Sequence, residues 1–143
     1  MSASGYSGTP LARKLGLKDG QVALLLGVPA GLDEIIGFSG FSGLETTINA
    51  SATRSCDYIH LFETRRSALE ECATDIAARL KPEGVLWASW PKKASKVATT
   101  LTEDGLREVF LPLGLVDIKV CAVDATWSGL KFMFRKELRS QMS

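Results

Sequence analysis

Two short runs hold the residues best suited to chemistry, Trp90-Pro91-Lys92-Lys93 and Asp124-Ala125-Thr126-Trp127-Ser128. Adjacent lysines bind a phosphate or carboxylate as point charges, and an indole stacks on a ring or a cation. An aspartate with hydroxyls around an indole orients a polar ligand. The same residues suit plainer roles: lysines keep a loop solvated, while Asp and Ser satisfy the backbone of a turn. Trp90, Lys92, Lys93, Asp124, Thr126, Trp127 and Ser128 form the candidate ligand-binding set. Their convergence on one rim is the reason to expect binding, because exposed aromatic-rich rims mark interaction sites.

Other chemistries find less support. His60 is the only histidine and falls in mid-strand, where a satisfied, half-buried histidine is expected rather than a general base. No Gly-x-Ser-x-Gly elbow and no His-Glu-x-x-His pair occurs. A lone histidine with scattered carboxylates does not build a typical metal site. No catalytic residue and no metal ligand is therefore assigned.

The bulk numbers narrow the classes further. At 143 residues the chain reads as one domain, with a flexible segment at 1–9 and a frayed basic tail at 136–143. Glycines in "SGYSGTP" allow that first segment to fold back, with Tyr6 as a lid over the rim. A net charge of +1 gives no global field to recruit nucleic acid or an anionic membrane. No apolar run approaches the roughly 20 residues of a membrane span. Cys56, Cys72 and Cys121 are odd in number and form no Cys-x-x-Cys pair. Buried reduced thiols in a cytoplasmic protein are the reading that follows.

The elements that must position the candidate residues come from periodicity and punctuation. Pro10 starts a short helix over Leu11–Leu15 that ends at Gly16. "QVALLLG" reads as a strand buried on both faces, "AGLDEIIGF" as a brief helix, and "ETTINA" as a weak strand. "DYIHLF" places Ile59 and Leu61 on one face and Tyr58, His60 and Phe62 on the other. Ser67 and Glu70 form a capping box for the next helix, which Lys81-Pro82-Glu83-Gly84 stops. "VLWASW" is the central strand, Thr102 caps a helix, and "LVDIKVCAV" with "GLKFMFRK" closes the chain as a hairpin.

This order predicts an α/β fold: a three-layer, mostly parallel Rossmann-like sheet of about six strands with an antiparallel C-terminal hairpin. In such sheets ligands sit at the carboxyl ends of the strands, near the switch in strand order. The phrases "LKPEGVLWASWP", "LGLVDIKVCAVD" and "WSGLKFMF" resemble the second half of the class I S-adenosylmethionine-dependent methyltransferases. The phrases "GYSGTPLARKLGLKDG", "WASWPKKAS", "LTEDGLRE" and "VCAVDATWSGLKF" resemble a family of small bacterial proteins catalogued as a domain of unknown function. The second resemblance spans nearly the whole chain and implies no activity.

The methyltransferase resemblance implies a glycine-rich turn after the first strand. Here the turn is "LGVPAGL", with Gly27 and Gly31 as the cofactor-binding candidates, Pro29 between them and no third glycine. Proline removes a backbone donor. An acidic residue at the end of the second strand is not evident, because Glu45 falls at its start. The expected function is a non-catalytic or degenerate Rossmann-like domain that binds a small anionic molecule or a partner protein at the rim. No cofactor is expected on that reading. The alternative is a small transferase dependent on S-adenosylmethionine or a nucleotide.

Overall fold

The computed structural model describes residues 10–48 and 53–142, so the lid expected of Tyr6 lies outside the described residues. The elements run α1 (Leu11–Leu15), β1 (Val22–Leu26), α2 (Asp33–Ile36), β2 (Gly43–Glu45), β3 (Cys56–Phe62), α3 (Arg66–Arg79), β4 (Leu80–Pro91), α4 (Glu103–Phe110), β5 (Leu115–Ala122), β6 (Trp127–Phe134) and α5 (Lys136–Arg139). They build a six-stranded sheet in the order β2-β1-β3-β4-β6-β5. Strands β1 to β4 are parallel, and β6 enters antiparallel between β4 and β5. The expected α/β class and closing hairpin are thus what the chain adopts.

Alternation decides which side chains reach which face. Leu24, Ile59, Leu61, Leu86 and Leu130 pack under α3 and α4 through Leu69, Ala73, Ile76, Leu106 and Phe110. Ala23, Leu25, Tyr58, Phe62 and Trp87 face the other way, against Leu15, Leu17, Leu32 and Ile35 from the α1 and α2 region. The α4 helix starts as its sequence dictates, with Thr102 Oγ1 accepting from the Gly105 N–H at 2.9 Å. α1 ends at Gly16, in the left-handed region with φ 78°.

Four local expectations are corrected. The second strand is Gly43–Glu45, not the later Thr-rich run, so Glu45 closes it instead of opening it. Lys81 to Gly84 lies inside β4 as a bulge: the pairing moves from Cys56↔Leu80 to Tyr58↔Val85. Gly84 is what allows it, since a Cβ there would meet Leu80 Cδ1 at 2.7 Å and the Cys56 carbonyl at 3.0 Å. The Ser67–Glu70 capping box does not form. Instead Thr100 Oγ1 takes the Arg66 N–H at 2.8 Å and Glu70 pairs with Arg66 at 2.9 Å. The basic tail carries α5, where Arg139 Nε donates to the Phe134 carbonyl at 2.9 Å. No helix among the described residues is long and apolar enough to cross a membrane.

Candidate functional site

The strand order reverses beside β1: the chain moves outward to β2, then returns to place β3 on the other flank of β1. In folds of this class the ligand crevice lies above the carboxyl ends of the strands at such a switch, here β1 and β3. Gly27 leaves β1 with φ 70°, and a Cβ at that position would lie 2.9 Å from the Phe62 carbonyl. A larger residue would push the two strand ends apart. Gly31 has φ 97° with open space beside its Cβ position, so the loop presents bare backbone there. Glu63, which directly follows β3, is half-buried, and its Oε2 accepts from the Thr64 and Arg65 N–H groups at 3.0 and 3.1 Å. These bonds fix a carboxylate at the end of β3.

Glu45 follows a different course. Its Oε1 takes the Arg79 guanidinium at 2.8 Å, and Arg79 is buried, with further bonds to Ser55 Oγ and Cys56 Sγ. The carboxylate closing β2, still partly exposed, is therefore engaged in an ion pair.

The two runs singled out from the sequence do come together. Pro91 pairs with Trp127 and Trp90 with Ser128, and the Lys92 N–H donates to the Thr126 carbonyl at 2.7 Å. Their indoles diverge, because Trp90 pairs with Ser128 and so faces opposite to Trp127. Trp90 is buried under α3 and α4, while Trp127 is half-buried on the other face, edge-on to Phe62 with ring centroids 5.3 Å apart. Asp124 Oδ1 accepts from the Thr126 and Trp127 N–H groups at 2.8 and 2.7 Å, which shapes the turn. Lys92 and exposed Lys93 remain at the strand end, one strand beyond β3. With strands about 4.8 Å apart and Lys92 three residues beyond Ser89, the partner of Phe62, that rim lies roughly 14 Å from Gly27.

Sequence reading missed a polar chain beneath this rim. The Tyr58 hydroxyl lies 3.1 Å from His60 Nδ1, and His60 Nε2 lies 2.7 Å from Ser89 Oγ. All three are fully buried. Burial pushes the His60 pKa down to about 3, so its ring is neutral, and it pushes the Tyr58 hydroxyl well up. The i, i+2 spacing of Tyr58 and His60 was visible in "DYIHLF"; Ser89 joins them only through the β3–β4 register. Among the described residues no group of histidine, cysteine, aspartate and glutamate could hold a metal ion.

The fold is the one seen in solved class I S-adenosylmethionine-dependent methyltransferases. A type 11 methyltransferase structure from Sulfolobus solfataricus, itself assigned by inference, superposes with TM-score 0.66 at 14% identity, over 88% of this chain and 90% of that one. A SAM-dependent methyltransferase from Aquifex aeolicus gives 0.60 at 15%, over 87% and 88%. The magnesium protoporphyrin IX methyltransferase of Synechocystis gives 0.59 at 11%, over 87% and 74%, in a structure with bound SAM, and a second structure of it holds SAH. No family model and no curated protein matches the chain. The expectation that no cofactor is involved is overturned by these neighbours, one described as SAM-dependent and one solved with SAM and with SAH bound. For this chain the likeness establishes the fold.

Proposed function

We propose that the chain binds S-adenosylmethionine over the carboxyl ends of β1 and β3 and acts as a small methyltransferase. The observation that carries this reading is the strand-order switch at β1 and β3, opened by left-handed Gly27. The charges at the crevice favour this ligand over a nucleotide. Glu63 is held at the end of β3, and α2 opens on Asp33, which repels a phosphate. S-adenosylmethionine bears an ammonium, a sulfonium and a single carboxylate, a net positive charge, and no phosphate. When bound, it supplies an electrophilic methyl group. Gly27 and Gly31 would offer it bare backbone and Glu63 a counter-charge. Lys92 and Lys93 would hold a small anionic acceptor at the rim, with Trp127 beside it.

A second reading, a domain that binds the same ligand without transfer, is supported by Glu45 and Pro29. Glu45 is engaged by Arg79, and Pro29 supplies no N–H to the turn. Thermal unfolding with S-adenosylmethionine and with SAH tests binding. At about one hundred times its dissociation constant a ligand adds about 2.7 kcal/mol, several degrees for a domain of this size. Glu63→Gln should weaken the shift. No shift with either compound would overturn the proposal. Formation of SAH from S-adenosylmethionine with a panel of small carboxylates and phosphates separates the two readings: turnover supports transfer, and binding without turnover supports the second.

A further inference from the structure

At the opposite end of the sheet, the amino ends of β1, β3 and β4 frame a shallow pocket of about 390 Å³, lined by Leu15, Lys18, Gln21, Asp57, Val85 and Lys131 among others. Lys131 of β6 lies directly between Trp87 of β4 and Lys119 of β5, so the two lysines stand side by side on one face. Like charges opposed across a strand pair are destabilising. Lys18 approaches the same group from the α1–β1 loop. Among the described residues the ion pairs engage Lys81 but none of Lys18, Lys119 and Lys131. No Asp or Glu lies outside the described residues to serve them.

The pocket is also built to stay in place. Trp87 Nε1 donates to the Leu15 carbonyl at 2.9 Å, which pins one wall. Gln21 holds the loop that carries Lys18, accepting from the Lys18 N–H at 2.9 Å and donating to the Gly16 carbonyl at 3.2 Å. Asp57 is already engaged, by Lys81 at 3.0 Å and by the Val22 N–H at 2.8 Å. Lys131 is half-buried, and its proton affinity is lowered by burial first and then by Lys119 and Lys18. Such a group gains from an anion. Asp19 and Glu83, both exposed, also line the pocket, where they repel an extended polyanion such as a nucleic-acid backbone.

We infer that this pocket is a second ligand site, which takes a small molecule through one oxyanion group, a phosphate or a carboxylate, held between Lys18 and Lys131. Leu15 and Val85 give the remainder of the ligand an apolar floor. The site is independent of the crevice at the other end of the strands.

Titration of the ¹⁵N-labelled full chain with sodium phosphate and with sodium acetate, at constant ionic strength against sodium chloride, tests the inference. Saturable amide shifts are expected from Lys18 to Gln21 and at Lys131. Loss of one charge-assisted contact in Lys131→Met should weaken them by about ten-fold or more. Lys18→Met, at an exposed loop position, gives the same test if Lys131→Met does not fold. A response to phosphate alone assigns a phosphate, and a response to acetate alone assigns a carboxylate. The inference is overturned if shifts are absent, if chloride reproduces them, or if the folded variants titrate like the wild type.

Discussion

Beneath α3 and α4 the sheet is covered by apolar side chains from Leu24 to Phe134, under helices of 14 and 8 residues. Beneath α1 and α2, helices of 5 and 4 residues, the core instead contains Tyr58, His60, Ser89 and the bonded indole of Trp87. Helices this short do not hold themselves in water. Named hydrogen bonds fix them: Trp87 to the Leu15 carbonyl, and the Ala12 N–H to Glu34 Oε1 at 3.1 Å. One face relies on area, which is indifferent to direction. The other relies on directional bonds, which specify a position but leave a buried polar group when broken.

Mutation should expose that contrast. The largest effect belongs to the apolar face, where Phe110 is fully buried with its ring 5.1 Å from Phe132. Phe110→Ala should cost about 3–5 kcal/mol in denaturant unfolding. A loss below about 1 kcal/mol would mean that this face is not close-packed.

On the other face, Trp87→Phe keeps most of the apolar volume but strands the Leu15 carbonyl, so about 1–3 kcal/mol should be lost. Amide exchange should speed up in α1 and not in α3. Equal acceleration in both helices would show that the indole supports the sheet as a whole.

The smallest effect, counted per pH unit, is titration of His60. Its folded pKa of about 3 lies below the 6.5 of an unperturbed histidine. Between those values the unfolded chain binds the extra proton, so stability falls as the pH drops through this window. The slope from this ring approaches about 1.4 kcal/mol per pH unit. His60→Gln should remove that component while the carboxylates titrate as before. Parallel pH profiles for the two proteins would show that the ring becomes protonated without leaving its site.

Much of the framework is legible in the sequence because it depends on local signals. The apolar run of β1, the alternation of β3, the Thr102 cap and the closing hairpin are each written in consecutive residues. What is not legible depends on register. Trp90 and Trp127 look like one aromatic rim until the pairing of Pro91 with Trp127 sends the indoles to opposite faces. Lys81 to Gly84 has the composition of a turn, yet Gly84 lets it ride within β4 against β3. Glu45 meets Arg79 from 34 residues away, and Lys18, Lys119 and Lys131 meet only once three separate elements are in place. No spacing rule records those encounters.

The antiparallel entry of β6 between β4 and β5 has a consequence for synthesis. A nascent chain emerging from the ribosome presents β4 with one edge bare until residue 134 has been made. β5 cannot serve as a substitute, since among the described residues its only strand partner is β6. The interior strand carrying Leu86, Trp87 and Ala88 is thus an open template for a stray strand from the completion of β4 at Pro91 until β6 is complete at Phe134. A prematurely terminated chain would keep that template permanently, which makes it a substrate for quality control rather than a smaller working domain.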